Sequence, residues 1–320
     1  MSGRVLNVCT AKRKGEQKRA VESAAFVVNQ GIEGDGHAGA KLRQVSMLDA
    51  ADVVSVREVI TELQPGDFGE NLVIEGINLE SLGLGSRLRL GERVELRISQ
   101  IGKACHTPCH IHRRLGDCIM PRKGLFGVVL SAGSVKTGDS VELIERVGRE
   151  VTQFAVITVS DRRSRGEEED TAGPAVTEAL EEALGAHRAG YEIVPDEVDS
   201  IHTALTQYSD ECPLDIVLTV GGTGFSPRDV TPEATRALLE RPAPGLDEAM
   251  RVASLSKTPH AMLSRGNSGI RRRTLIINLP GSRRGAVENL RAVAPALRHA
   301  VEKLRGSDAD CGRERGEGGR

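Results

Sequence analysis

Residues 220–234 read Val-Gly-Gly-Thr-Gly-Phe-Ser-Pro-Arg-Asp-Val-Thr-Pro-Glu-Ala, and this stretch decides how the second half of the chain folds. The apolar residues 214–220 are typical of a buried parallel strand, and residues 233–239 are typical of a helix. Glycines between a strand and a helix let backbone N–H groups approach an anion, whose charge the helix dipole favours. A Gly-Gly-Thr-Gly run can also be only a tight turn. Because the carboxylate of Asp229 suits a divalent cation, the whole pattern favours a phosphate-handling enzyme.

Length and composition predict two domains without an obvious nucleic-acid or membrane partner. The chain has 320 residues, a formal net charge of −2, five Phe, two Tyr and no Trp. This charge gives no electrostatic basis for binding nucleic acid or an acidic membrane, and so few aromatics weaken any base-stacking model. No apolar run approaches the roughly 18–20 residues of a membrane span, and the N-terminus lacks the pattern of a signal peptide. We expect a cytoplasmic protein.

Short alternating segments separated by Gly and Asp dominate the first half of the chain. Residues 85–91 and 94–98 show the alternation, and residues 138–143 have the composition of a last turn and strand. Period-two alternation with frequent turns is typical of half-buried strands in a β-barrel or a sandwich. One helix is expected near residues 50–63, ended by Pro65 and Gly66.

Strand-like and helix-like segments alternate in the second half. The predicted strands cover residues 154–159, 191–194, 214–220 and 274–279, and the predicted helices include 175–184 and 286–304. This order predicts βαβ units and an α/β domain with a mostly parallel sheet, in three layers, over residues 152–305. The tail, residues 306–320, has no apolar pattern and is expected to be disordered.

Four segments that follow the predicted strands carry residues suited to phosphate or metal. They are residues 160–162, 195–197, 221–229 and 280–282. Ligands of parallel sheets bind beyond the carboxyl ends of the strands, so we expect the four segments to form one pocket. Asp196 and Asp229 would supply carboxylates for Mg²⁺, which neutralises phosphate oxygens during transfer. Taken singly, Asp196 could be a turn residue and Asp229 could satisfy donors at a helix N-terminus.

A second dense cluster, Cys-His-Thr-Pro-Cys-His-Ile-His at residues 105–112, lies in the first half, and Cys118 follows it. Cys and His could form a zinc site, although structural zinc sites normally use tighter paired spacings than that of Cys105 and Cys109. A reactive thiol is the second interpretation, since neighbouring cations would lower its pKa. Simple packing in a barrel is the third, and we favour it for Cys9, Cys118 and Cys212. The six cysteines are too scattered for a disulfide framework.

The second half resembles the MogA/MoaB family of molybdenum-cofactor biosynthesis proteins. The matching residues are 158–162, 170–174, 195–197, 219–234, 263–265 and 278–282. The resemblance implies Mg²⁺-dependent molybdopterin adenylyltransferase activity: the terminal phosphate of molybdopterin attacks the α-phosphorus of ATP, and pyrophosphate leaves. It also implies a trimer, although a fused domain could change the assembly. Phe225 and Ser226 depart from the residues that relatives carry in this loop.

The residue roles implied by this resemblance fall into two groups. Asp196 and Asp229 are implied as catalytic residues that bind Mg²⁺ and organise the transition state. The residues implied to contact phosphate and pterin groups, or to complete the pocket, are Gly221, Gly222, Thr223, Gly224, Ser226, Ser160, Asp161, Pro280, Gly281 and Ser282.

The first half, residues 1–147, resembles a MOSC domain, a β-barrel module associated with molybdenum-cofactor sulfurases. The matching residues are 31–39, 68–72, 84–88 and 107–109. The resemblance implies binding of a molybdenum–pterin species, with Cys109 as the catalytic thiol that carries sulfur or contacts the cofactor. Some sulfurases use pyridoxal phosphate in a separate domain; no such domain is recognised here, so we do not expect this chain to bind it.

Three functions remain open at this stage. The first is an adenylyltransferase fused to a barrel that binds the cofactor or carries sulfur. The second is a carrier that holds and delivers the pterin without catalysis. The third is a sulfur-transfer protein whose second half only docks the cofactor. Each implies small-molecule ligands, together with other cofactor-biosynthesis proteins and molybdoenzymes as partners.

Overall fold

The computed structural model describes residues 2–103, 111–112 and 118–307. The chain divides into two compact units that meet between Val151 and Thr152. Cys105 and Cys109 lie outside the described residues, as does most of the predicted tail at 306–320.

The described residues of the first unit form short strands and a few short helices. Its strands are β1 (Ser2–Thr10), β2 (Arg19–Val21), β3 (Ser23–Val27), β4 (Gly31–Ile32), β5 (Val45–Asp49), β6 (Leu72–Glu75), β7 (Arg87–Leu90), β8 (Val94–Ile101), β9 (Leu125–Ser131), β10 (Gly133–Lys136) and β11 (Ser140–Glu145). Its helices are α1 (Ala50–Arg57) and α2 (Met120–Lys123), and a 3₁₀ turn covers Leu79–Ser81.

Seven of these strands close a barrel in the order β11-β7-β8-β9-β5-β6-β1, because β1 pairs again with β11. Along β8, Val94, Leu96 and Ile98 are buried while the residues between them are not, so the alternation in the sequence marks the wall of the barrel. The barrel predicted for the first domain is confirmed.

Helix α1 ends earlier than the sequence predicts. It was expected to reach residue 63, but its last residue is Arg57, and turns connect it to β6. The segment is rich in valine, a β-branched residue with reduced helix propensity. Ile60 and Leu63 are nevertheless buried in the core, so packing rather than helical periodicity explains their apolar character.

The second unit alternates strands and helices. Its strands are β12 (Gln153–Val159), β13 (His187–Val194), β14 (Ile216–Val220), β15 (Arg241–Pro242), β16 (Ser268–Arg271) and β17 (Thr274–Leu279). Its helices are α3 (Asp161–Ser164), α4 (Ala172–Leu184), α5 (Val198–Thr206), α6 (Thr231–Leu238), α7 (Pro244–Leu255) and α8 (Arg283–Leu304), with a π turn at Gln207–Glu211 and a 3₁₀ turn at Pro259–Leu263.

One sheet in the order β13-β12-β14-β17-β16-β15 forms the centre of the second unit. The first four strands are parallel, and β16 and β15 continue the sheet in antiparallel pairing. Every residue of β12, β14 and β17 is buried, which explains their continuous apolar sequences.

Helices cover the central strands. Phe154, Leu218 and Ile277 share a core cluster with buried residues of α4, α7 and α8. Helices α5 and α6 pack against each other. No helix in the described ranges combines the length and the apolar character needed to cross a lipid bilayer.

Candidate active site

The ends of the parallel strands bring the predicted segments together. The backbone N–H of Asp161 donates to Asp196 Oδ2 at 2.8 Å, and the N–H of Asp196 donates to Asp161 Oδ1 at 3.1 Å. This reciprocal pair joins the segments that follow β12 and β13. The N–H of Gly221 donates to Leu279 O at 3.0 Å, which joins the segments that follow β14 and β17. The four segments therefore meet at one edge of the sheet.

Gly221 and Gly222 can only be glycines at this edge. Gly221 has φ of 113°, and a Cβ there would lie 2.3 Å from Val159 O. Gly222 has φ of 63°, and a Cβ there would lie 2.3 Å from Thr231 Oγ1 and 3.0 Å from Asp196 Oδ1. Side chains are excluded both by conformation and by space, so the backbone of the loop approaches the strand ends and Asp196 closely.

The glycine loop, residues 221–229, presents backbone N–H groups that have no hydrogen-bond partner among the described residues. The backbone N–H groups of Gly222, Thr223 and Gly224 make no hydrogen bond to any residue that the structure describes. Successive free N–H groups in a glycine-rich turn before a helix form a site for an anion such as phosphate. The next helix, α6, begins at Thr231, whose N–H donates to Gly222 O at 3.1 Å.

A cavity of about 440 Å³ opens beside the glycine loop. Seven of the predicted site residues line it: Gly222, Thr223, Gly224, Asp229, Pro280, Gly281 and Ser282. Arg251, Ser254, His260 and Asn289 also line it, and sequence reasoning missed them. They come from α7, the 3₁₀ turn and α8, which carry no phosphate-binding motif, so only the fold reveals their proximity.

The other predicted residues lie around this cavity rather than on its wall. Asp161 and Asp196 form the reciprocal pair described above, and Ser160 caps α3 by accepting from Arg163 N at 3.4 Å. Ser226 borders a separate depression of about 420 Å³, which Asp229 also lines. Its N–H donates to Asp229 Oδ2 at 3.0 Å, so one oxygen of that carboxylate is used to shape the loop.

The carboxylates at the site repel one another. Burial raises the pKa of the Asp196 carboxyl, and the negative charges of Asp161 and Asp229 act in the same direction. The guanidinium of Arg228, paired with Asp161, lowers the pKa of the Asp161 carboxyl. Asp196 and Asp229 are therefore close enough to interact electrostatically, and a cation between them would relieve their repulsion.

The same charge arrangement predicts that Asp196 lowers stability at neutral pH. The folded protein binds the Asp196 proton more tightly than the unfolded chain does, so ionisation reduces the free energy of unfolding as pH rises through the raised pKa. We expect Asp196→Asn to be more stable than wild type at pH 7, by less than about 1 kcal/mol because solvent screens a partly exposed group. Thermal unfolding at pH 7 and near pH 3 measures this, and the difference should shrink at the lower pH. An equal or lower melting temperature at pH 7 would refute it; the exposed Asp199→Asn is the control.

Arg265 fixes the shape of the glycine loop. Its Nε donates to Gly224 O at 2.8 Å and its Nη2 donates to Asp229 O at 2.6 Å, while its own N–H donates to Thr223 O at 3.0 Å. Its guanidinium also pairs with Glu233 on α6. Arg265 belongs to a stretch that matches the family but was not among the predicted site residues, because the sequence does not show which backbone it reaches.

Arg265→Ala should therefore loosen the loop that carries Asp229. Loss of two charge-assisted hydrogen bonds to carbonyls should lower the free energy of unfolding by about 2 kcal/mol, and nucleotide binding should weaken. Chemical denaturation and ATP titration measure the two effects. The control is Arg236→Ala, whose guanidinium contacts Asn267 Oδ1 at 3.2 Å and does not touch the loop. Equal behaviour of the two variants would contradict the role of Arg265.

In the first unit, four polar side chains form a buried cluster between the loops of the barrel. Lys18 and Asp35 are 2% and 4% exposed, and their charged groups lie 3.3 Å apart. Asn71 Nδ2 donates to Asp35 Oδ2 at 3.0 Å, and Glu70 accepts from Gly66 N and Phe68 N. These contacts tie the loops together and supply the partners that buried charges require.

The cysteines that the structure describes pack in the interior. Cys9, Cys118 and Cys212 are buried, as the packing interpretation expected. Burial raises the pKa of the Cys9 and Cys212 thiols to about 12, so they are protonated at neutral pH. The predicted reactive or zinc-binding residues Cys105 and Cys109 lie outside the described residues.

Comparisons with known proteins agree with this geometry. A family described as "probable molybdopterin binding domain" matches residues 155–299, and the MOSC domain family matches residues 34–142. The molybdopterin adenylyltransferase of Helicobacter pylori J99 is 44% identical over 155 residues, which are 48% of this chain and 88% of the relative. The Escherichia coli K12 protein of the same name is 41% identical over 150 residues, which are 47% of this chain and 77% of that relative.

Among solved structures, the molybdopterin biosynthesis enzyme MoaB of Thermus thermophilus is 50% identical, with a TM-score of 0.47, and the match covers 49% of this chain and 98% of that chain. The second unit, with its glycine loop and strand-end pocket, is the part of the chain that matches the family described as a probable molybdopterin binding domain. The chain belongs to the MogA/MoaB family of molybdenum-cofactor biosynthesis proteins and carries a MOSC domain in its first half. The family predicted from the motifs is confirmed.

Proposed function

We propose that the second unit transfers the adenylyl group of ATP to molybdopterin in molybdenum-cofactor biosynthesis, as the names of its relatives state for them. The observation that carries the proposal is the glycine loop with three unpaired N–H groups beside a cavity and two interacting aspartates. A phosphate cradle next to paired carboxylates suits a reaction between two phosphate-bearing substrates. The enzyme is therefore a nucleotidyltransferase.

The glycine loop would bind the phosphates, and the neighbouring cavity would bind the pterin. Backbone N–H groups of Gly222, Thr223 and Gly224 would hold phosphate oxygens, and Ser226 would adjust the loop through Asp229. The neighbouring loops would complete the surroundings of the ligands with Ser160, Asp161, Gly221, Pro280, Gly281 and Ser282. The cavity beside the loop would take the pterin part, because its wall includes both polar groups and the apolar Leu263.

Asp196 and Asp229 would hold Mg²⁺. The described residues contain no group of three or more His, Cys, Asp or Glu side chains that could enclose an ion. Two mutually repelling carboxylates instead fit an ion that shares its coordination with nucleotide phosphates, which is how Mg²⁺ is commonly bound. When bound, the ion neutralises charge on the phosphate oxygens.

The proposed reaction is one in-line displacement. An oxygen of the molybdopterin phosphate forms a bond to the α-phosphorus of ATP, and the bond from that phosphorus to the oxygen of pyrophosphate breaks. The chain contributes by holding both phosphates at van der Waals contact and by placing donors on their oxygens. No side chain needs to form a covalent bond to the substrate.

Pyrophosphate release separates an enzyme from a carrier. The purified chain should release pyrophosphate only when ATP, Mg²⁺ and molybdopterin are all present. Omission of molybdopterin controls for simple hydrolysis of ATP. Tight retention of molybdopterin without pyrophosphate release would favour the non-catalytic carrier instead.

The match to the MOSC family favours a second role for the first unit: it would bind the molybdenum–pterin species or carry sulfur on Cys109. Incubation with a low-molecular-weight persulfide, which gives up its outer sulfur and is left as a thiol, should then give a persulfide on Cys109, visible as a mass increase of one sulfur atom that Cys109→Ser abolishes. Absence of the modified peptide in wild type would count against sulfur transfer. Pyridoxal phosphate is not expected to bind.

The architecture and assembly complete the proposal. The first domain would cover residues 1–147 and the second residues 152–305, with the helices of the second in layers on both sides of its sheet. A trimer would be consistent with the family, and other cofactor-biosynthesis proteins and molybdoenzymes would be partners.

A further inference from the structure

Arg228 bridges two of the loops that follow the parallel strands. It belongs to the glycine loop, and its Nε and Nη2 donate to the two carboxylate oxygens of Asp161, each at 2.9 Å. The side chain of Arg228 is 57% exposed, whereas that of Asp161 is 26% exposed. This bidentate pair therefore connects two of the four loops through a partly exposed contact.

Stabilisation of the fold does not account for the Arg228–Asp161 pair. An ion pair at an exposed position contributes little to stability, because water and salt screen it. The guanidinium also lies within electrostatic range of Asp196 and Glu197, so it sits in a strongly negative environment. A planar guanidinium is the group best suited to bind phosphate in a bidentate manner.

We propose that Arg228 binds the terminal phosphates of the nucleotide, and that Asp161 holds its guanidinium while the site is empty. The inference rests on the proposed adenylyl transfer. Pyrophosphate is the leaving group of that reaction and must depart to solvent, so it belongs at the exposed side where Arg228 lies. The N–H groups of Gly222, Thr223 and Gly224, residues that are less exposed than Arg228, then receive the inner phosphate. A cation on the leaving group stabilises the charge that develops there.

Opposite effects of two variants on ATP affinity distinguish phosphate binding by Arg228 from a purely structural role of the Arg228–Asp161 pair. If Asp161 competes with the nucleotide, Asp161→Asn should raise ATP affinity about threefold to tenfold, because asparagine keeps an oxygen for Asp196 N but loses the charge. Arg228→Ala should lower ATP affinity by a factor of ten or more, and AMP affinity by less than a factor of three. If the pair only shaped the loops, both variants would weaken ATP and AMP alike.

The experiment is calorimetric titration of the full chain with ATP and with AMP in buffer containing Mg²⁺, the ion that the proposed function requires. Arg272→Ala is the matched control: its side chain is 58% exposed and pairs with Asp210 at 3.4 Å, next to the amino-terminal end of β17. It should bind both nucleotides as wild type does. Wild-type ATP affinity in Arg228→Ala, or equal losses for ATP and AMP, overturns the inference while the proposed function stands. Failure of wild type to bind ATP overturns both.

Discussion

Asp229→Asn should lower the rate of molybdopterin adenylylation by about 10²–10³-fold, the range found when a preorganised charge-stabilising group is removed. Asparagine can still accept from Ser226 N, which Asp229 Oδ2 does at 3.0 Å, so the glycine loop should keep its shape. What the variant loses is the negative charge that interacts with Asp196 and would hold Mg²⁺. Initial rates of pyrophosphate release at saturating substrates measure the effect.

The control for Asp229→Asn is Asp199→Asn. Asp199 is an exposed carboxylate in the first turn of α5, close in sequence to Asp196 but not part of the strand-end pocket. It should leave the rate within twofold of wild type. Both variants should melt close to the wild-type temperature. A normal rate in Asp229→Asn would remove Asp229 from the reaction and leave it as a residue that shapes the loop.

Gly221→Ala should have the largest effect on folding and activity together. At φ of 113° an alanine is strained, and its Cβ would meet Val159 O at 2.3 Å. Val159 O belongs to the backbone of β12 and Gly221 directly follows β14, so neither can move without separating the two strands. We expect a loss of about 3 kcal/mol or more in the free energy of unfolding. Adenylylation should be abolished, since the neighbouring N–H groups and Asp196 would shift.

Gly166→Ala is the control that separates backbone strain at positive φ from a steric clash of the added Cβ. Gly166 also has positive φ, at 73°, but a Cβ there would meet nothing within 4 Å. Its cost should be only the conformational one, about 1–2 kcal/mol, with activity retained. Chemical denaturation of both variants gives the comparison. If Gly221→Ala were no worse than Gly166→Ala, the close approach of the two strands would not be what requires glycine.

The central strands and the meeting of the loops that follow them could be predicted because their signals are local. The apolar run at Thr274–Leu279 coincides with β17, and the run ending at Val220 coincides with the end of β14. Fully buried parallel strands are continuously apolar, and ligands bind beyond their carboxyl ends. Those two facts were enough to place Asp161, Asp196 and Gly221 at one edge.

Other elements could not be predicted because their signals are weak or non-local. The antiparallel extension of the sheet consists of β15, two residues long, and β16, which contains a glycine. Helix α7 begins with Pro244 and Gly245, a pair that usually marks a turn. Arg265 and Asn289 reach the site only through tertiary packing, and no spacing in the sequence shows which loop or cavity a side chain will contact.

Detection of adenylylated molybdopterin is the most direct test of the proposed function. The purified chain should convert molybdopterin, ATP and Mg²⁺ into adenylylated molybdopterin, identified by mass spectrometry, with one pyrophosphate released for each molecule formed. The Asp229→Asn variant, measured beside the wild type at equal concentration, should form at least about 10²-fold less adenylylated molybdopterin in the same time. Molybdopterin that stays bound but unmodified in the wild-type reaction would contradict the account and leave the second unit as a carrier of the pterin.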